Sequence, residues 1–181
     1  MTSNDEWTSA SMPYVTPHAG NGDAWADEAA SHGARGTQSL AHAGEVAATG
    51  VIAEALGVQE GDAVVVRRRV IRLDDAPVEL ADSYYPGRVA SGTPLAEPRK
   101  IKGGAVNLLA DLGYTTARLR EDITARMPTD HERSELQMAD NEPVLVLERV
   151  SIGRDGQPIQ ADVMVTPARL RRLRYELKVT D

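Results

Sequence analysis

Residues 62–86 constrain this chain more than any other stretch. Two runs rich in apolar, β-branched side chains flank the polar break Asp74-Asp75-Ala76-Pro77, a pattern that predicts a β-hairpin. Its first arm also carries Arg67, Arg68, Arg69 and Arg72. An extended strand sends alternate side chains to opposite faces. Arg67 and Arg69 therefore share one face with Val65, Ile71 and Leu73, and Arg68 and Arg72 share the other with Val64, Val66 and Val70. Neither face is purely polar, so at least one guanidinium has to point into a protected place. A buried guanidinium stays charged and needs acceptors. Two readings meet that need. The arginines pair across the hairpin with Glu79, Asp82 or another carboxylate, or two of them grip the phosphate or carboxylate of a small ligand.

Composition narrows the function classes. The 181 residues suffice for one domain with a substantial core. The net charge of −7 argues against a protein held to DNA by a broad basic surface. The chain has no Cys, which excludes disulfides, a thiolate nucleophile and Cys-ligated metals, and His18, His32, His42 and His131 lack metal-ligand spacing. No metal or cofactor is expected. No apolar run approaches the ~20 residues that span a bilayer, and the amino terminus lacks the features of a signal peptide. The expectation is a cytoplasmic protein with no membrane contact.

Residues 1–22 are polar and rich in Ser, Thr, Asn, Gly and Pro, and read as a flexible lead-in to a domain of residues 23–181. Within that domain the pattern predicts a short helix over 23–33 that packs Trp25, a strand over 37–46 and a short helix over 51–57 before the hairpin. A Gly- and Pro-rich loop over 91–104 follows. A helix then begins after Gly103-Gly104, where free backbone N–H groups at its positive end would suit an anion. Alternation over 119–126 predicts a half-buried strand, and Thr129 with Glu132 forms a capping box. A second hairpin spans residues 143–166. It repeats the first: at an offset of 80, Leu56, Val64, Val66, Arg69 and Val70 fall on Leu136, Val144, Val146, Arg149 and Val150. After one extra turn residue, Pro77 and Pro86 fall on Pro158 and Pro167. The two hairpins are expected in one antiparallel sheet with helices on one side and a ligand between the halves, an α+β fold. The arginines at 169–174 read as solvated charges on an edge strand.

Taken in order, these pieces resemble the UTRA domain, the effector-binding part of HutC-type GntR-family transcriptional regulators. The residues that carry the resemblance are Glu54-Ala55-Leu56-Gly57-Val58, the arginine-bearing hairpin ending Tyr84-Tyr85-Pro86, Leu108 to Tyr114, the run after Pro143, Gly156-Gln157-Pro158-Ile159 and Leu173-Arg174-Tyr175. The resemblance implies a chorismate-lyase-like central antiparallel sheet with flanking short helices. It also implies a homodimer and a small anionic effector, a phosphosugar or a carboxylate. The family's pocket arginine falls on Arg69. Its second arginine falls on Ile71, leaving Arg67 or Arg72 to substitute. Its acidic residue falls near Ala81, leaving Glu79 or Asp82. Gly103 and Gly104 stand at the family's Ser-containing turn, and Gln160 and Tyr175 complete the implied ligand contacts. The winged helix-turn-helix of such regulators has no counterpart in the polar residues before Asp23, so DNA contact is expected only through a unit absent from this chain.

Three other functions compete. A dimerisation module would bury Arg69 and Arg149 in core salt bridges. A chorismate-lyase-like enzyme would draw on Glu79, Asp82 and Glu148, but no nucleophile–base pair or metal cluster accompanies them. A direct nucleic-acid binder would use Arg67 to Arg72 and the carboxy-terminal arginines against the chain's net acidity. The reading is a non-enzymatic effector domain.

Overall fold

The computed structural model describes residues 8–9, 11–17 and 24–173. Its centre is a six-stranded, wholly antiparallel sheet, and the alternation read from the sequence sets which side chain faces which way. After a short pairing strand β1 (Thr8–Ser9) and helix α1 (Ala24–Ser31), the first half comprises β2 (Gly36–Ala47), helix α2 (Gly50–Leu56), β3 (Ala63–Leu73) and β4 (Ala76–Pro86). Helices α3 (Gly87–Ala90) and α4 (Gly104–Asp111) connect it to the second half. That half repeats the plan with β5 (Arg118–Arg126), α5 (Asp130–Glu135), β6 (Val144–Ile152) and β7 (Pro158–Pro167). The strand order is β2-β3-β4-β7-β6-β5, so two three-stranded meanders join along β4 and β7.

The join is pseudo-twofold. Leu80 pairs with Val165, Asp82 with Val163 and Tyr84 with Ala161. Adding 81 to the outer residues of β4 gives their exchanged partners on β7, and Asp82 and Val163 face each other at the axis. The first hairpin turns on Asp74 and Asp75, whose φ values of 47° and 69° are both left-handed. This type I′ geometry matches the twist of the flanking strands, and Asp tolerates it through local hydrogen bonds. A β-bulge between Ile71 and Arg72 shifts the register just before the turn.

One face of the sheet is covered by the repeated short helices. Ile52 and Leu56 of α2 pack on Val64, Val150, Ile152 and Ala161, and Leu136 and Met138, just after α5, pack on Val144, Val146 and Val165. Helix α2 thus rests on β6 and β7, and Leu80 of β4 packs against the Leu136 cluster, which ties the meanders together. Full burial of a leucine such as Leu56 contributes roughly 1.5–3 kcal/mol. Gly57 ends α2 in the left-handed conformation, φ 64°, that a side chain would strain. The Thr129–Glu132 capping box opens α5, with both reciprocal bonds formed.

The other face carries two apolar patches. Val65, Tyr85, Val89, Ala90, Leu95, Leu109 and Ile159 form one, and Trp25, Ile71 and Ala81 form the other. Between Val65 and Ile71 along β3, this face presents Arg67 and Arg69. Cation-bearing positions therefore interrupt the core instead of fringing it.

Several local expectations are corrected. The stretch read as loop from residue 91 is preceded by helix α3 and contains a 3₁₀ turn at Pro94–Ala96 that buries Leu95. The carboxy-terminal segment does not guard the main sheet. It leaves β7 at Pro167, whose ring donates no N–H to a ladder, turns once over Ala168–Leu170, and forms β8 (Arg172–Leu173), which pairs in parallel with β1. Within the expected lead-in, Met12–Tyr14 form a 3₁₀ turn. The Tyr14 hydroxyl donates to Glu28, and the ring packs beside the Trp25 cluster. Burial, aided by Glu28, pushes the Tyr14 phenol well above its ordinary range. No helix among the described residues is long and apolar enough to cross a membrane.

Candidate ligand-binding site

A cavity of about 270 Å³ opens on the face between the two apolar patches, just below the ~300–1,000 Å³ of typical ligand pockets. Strands β3, β4, β6 and β7 form its floor, and α1, the loop before α4 and the start of α4 form its walls. The cavity is cation-rich, lined by Arg67, Arg69, Arg149 and Arg171, whose surroundings differ.

Arg67 is 5% exposed and meets no carboxylate within ion-pair distance among the described residues. Its Nη1 donates to the carbonyls of Leu95 and Glu97, each at 2.9 Å, and its Nη2 to that of Arg99 at 2.7 Å. The residue thereby latches the 94–99 loop over the cavity. Burial pushes its guanidinium below the ordinary value, the direction expected of a cation held only by carbonyl dipoles.

Arg69 lies between two apolar neighbours, Leu40 on β2 and Ala81 on β4. Its Nη2 donates to Ser83 Oγ at 2.7 Å and its Nη1 to Gln38 Oε1 at 3.4 Å, while its buried Nε has no hydrogen-bond partner. An unused buried donor on a permanent cation is costly unless something fills the space before it.

The second half treats its arginine differently. Arg149 lies between Glu121 and Asp162, and its Nε donates to Glu121 Oε1 at 2.7 Å with both side chains largely buried. At the far end Arg171 reaches Glu79 Oε2 at 2.6 Å, and Thr166 Oγ1 donates to the same oxygen at 3.1 Å. Asp162 is 6% exposed, and its Oδ1 accepts from Ser83 Oγ at 2.5 Å and from Gln160 Nε2 at 2.6 Å. Ser83 is thus a relay, accepting from Arg69 and donating to Asp162. Tyr85 lies against this group, and burial pushes its phenol up to about 12.

The amino end of α4 points at the same space. Gly103 and Gly104 have φ values of 80° and 82°, a region side chains rarely adopt, so glycine allows the loop to enter the helix here. The first turn has no side-chain cap, and Gly104, Ala105 and Val106 line the cavity. A helix start of this kind favours negative charge.

Of the residues singled out from sequence, the cavity gathers Arg67, Arg69, Glu79, Gly103, Gly104 and Gln160. Arg72 and Asp82 lie elsewhere. Asp82 is opposite Arg68 in the ladder, shares that residue's face, the one that carries α2 and α5, and pairs with it at 3.2 Å, where burial raises its carboxyl above the usual range. Arg72 follows the bulge, and its Nη1 donates to the hydroxyl of Ser39 at the surface. Its carbonyl accepts from Trp25 Nε1 at 2.9 Å, which fixes the indole in the cavity wall. Tyr175 lies outside the described residues. Sequence reading missed Ser83, Asp162 and Arg171. The first two could have been found by extending strand alternation from Arg69 across to β4 and β7. Arg171 was assigned to a solvated tail because the turn that brings it inward leaves no periodic signal. Among the described residues no cluster of His, Asp and Glu has the arrangement of a metal site.

The chain resembles known proteins over most of its length. The family model described as UTRA domain matches residues 31–175. An uncharacterized HTH-type transcriptional regulator of Streptomyces coelicolor is 32% identical over 139 residues, covering 75% of this chain and 52% of the relative. The chain spans about half the length of the curated relatives it matches. Among solved structures, the effector domain of PhnF from Mycobacterium smegmatis superposes with a TM-score of 0.74 at 22% identity, covering 88% of this chain and 97% of that one. The C-terminal domain of the histidine utilization repressor from Pseudomonas syringae gives a TM-score of 0.69 at 23% identity, covering 80% and 100%. At these identities the likeness concerns the fold.

Proposed function

This chain belongs to the UTRA domain family, and on that premise we propose that it senses a small anionic metabolite for a GntR/HutC-type transcriptional regulator. The observation that carries this reading is Arg69, which lines the cavity with no carboxylate at either of its ladder neighbours, Leu40 and Ala81. The ligand's anionic group would sit between Arg69 and the uncapped start of α4, where a cation and a helix dipole reinforce one another.

Binding controls a DNA-binding unit if that unit's two arrangements differ in how well the cavity takes the ligand. The unit is an attached or partner winged helix, and the sensor works as a cytoplasmic homodimer. The relatives support this role: the matched proteins are named transcriptional regulators, and one solved neighbour is named an effector domain. We read the cavity as a site of binding and not of catalysis, as the matched relatives are named transcriptional regulators.

A thermal-shift titration against phosphate monoesters, phosphonates and small carboxylates tests the reading. A ligand that binds only the native state raises the melting temperature with concentration. The expected result is a concentration-dependent rise with at least one anion, abolished in Arg69→Ala and retained in Arg72→Ala. No response to any anion, or an equal response in Arg69→Ala, would overturn the assignment and favour a dimerisation module.

A further inference from the structure

Resting on the anion-binding reading above, we propose that the ligand also carries a hydroxyl or protonated amine, and that Asp162 reads it. The cavity contains two buried carboxylates with opposite histories. Glu79 is answered by a cation, Arg171 at 2.6 Å, and by the Thr166 hydroxyl. Asp162 has no ion pair among the described residues, although it stands directly across the ladder from Arg149. That guanidinium turns its Nε to Glu121 instead.

Both hydrogen bonds that reach Asp162 converge on Oδ1, from Ser83 and from Gln160. An ionised carboxylate accepts through two oxygens. Among the described residues no protein donor reaches Oδ2, and it is not sealed off by protein, so a donor on a bound ligand can pair with it.

The unused groups have opposite polarity and lie close together. Arg69 is a cation with no ion-paired carboxylate among the described residues and Asp162 Oδ2 accepts no protein donor among them, and the two side chains are joined through the single hydroxyl of Ser83. A ligand that is anionic all round would meet Asp162 as a like charge. A ligand with its anion at one end and a donor a few bonds away satisfies both. The volume of about 270 Å³ restricts it to a small metabolite.

The test is calorimetric titration with matched probes: glycerol phosphate against propyl phosphate, and 2-aminoethylphosphonate against ethylphosphonate. In the wild-type protein the donor-bearing member of at least one pair should bind about tenfold tighter or more, the range expected for a hydrogen bond to a charged group. Asp162→Asn should reduce that preference to near parity while propyl phosphate or ethylphosphonate binds as well as before, or better. Arg72→Ala, at a residue outside the cavity, should keep the preference, and a melting temperature of Asp162→Asn close to that of the wild type shows that this variant is folded. Equal binding within both pairs by the wild-type protein would overturn this inference and leave anion binding standing. An unchanged preference in a folded Asp162→Asn protein would also overturn it. No binding by any of the four probes would remove the anion reading and this inference together.

Discussion

The two halves of the sheet are built to one plan and differ where it matters chemically. Arg69 and Arg149 occupy equivalent places on β3 and β6. In the first half the ladder neighbours are Leu40 and Ala81, and in the second they are Glu121 and Asp162. The same offset of 81 relates Leu40 to Glu121 and Ala81 to Asp162. One arginine is therefore compensated by its own fold and the other is left with a donor unused. The lesson is that a buried cation's role is set by its two cross-strand neighbours, and identical arginines can be structural in one half and available in the other.

This contrast can be broken or sharpened by exchange. Glu121→Leu gives the second half the first half's environment and strands Arg149 with its charge. Breaking a largely buried pair in this way should cost about 3 kcal/mol, seen as a lower midpoint in urea denaturation. Leu56→Ala and Leu136→Ala should cost about 3 kcal/mol each, because both leucines are fully buried at matching positions under the same sheet face. A large inequality would mean that the halves do not share the load as their packing indicates. The reciprocal exchange, Leu40→Glu, directs a carboxylate at Arg69. It should abolish the anion response in a thermal-shift titration without lowering the melting temperature of the free protein.

The smallest effect concerns the helix caps. Thr49 and Thr129 are equivalent N-caps, yet only Thr129 makes a side-chain cap bond. Thr129→Ala should cost about 1 kcal/mol and Thr49→Ala much less. The pair also differ in pH dependence. The hydrogen bond from Arg126, with the capping bonds at Thr129, holds the Glu132 carboxyl down to about 2, below its ordinary 4.5. Its folded value is depressed, so its stabilisation is present above pH 4.5 and is lost as pH falls toward 2. The stability gap between wild type and Arg126→Ala should therefore narrow on acidification through that window. The gap for Thr49→Ala should stay flat.

Much of this was legible in the sequence. The hairpins, their repeat and the facing of Arg67 and Arg69 follow from alternation, which a strand cannot violate without moving its whole apolar set to the other side. The capping box was legible for the same local reason. Arg72 was named only as a stand-in for the family's second arginine, although alternation already puts it on the opposite face from Arg67 and Arg69. Asp162 and Arg171 were missed because their roles depend on which strands lie side by side and on how the chain re-enters after Pro167. Those are long-range facts that no window of sequence contains.

The residues at the pseudo-axis have one further consequence. Since Asp82 and Val163 face each other there, β4 carries a register that a second copy of β4 could also satisfy, antiparallel about Asp82. Such a homotypic seam would set two carboxylates directly opposite, an arrangement that like charges disfavour. The native seam meets a valine instead. A single acidic residue at the symmetry point thus discriminates between joining unlike halves and joining like ones, and steers a duplicated architecture away from pairing with itself.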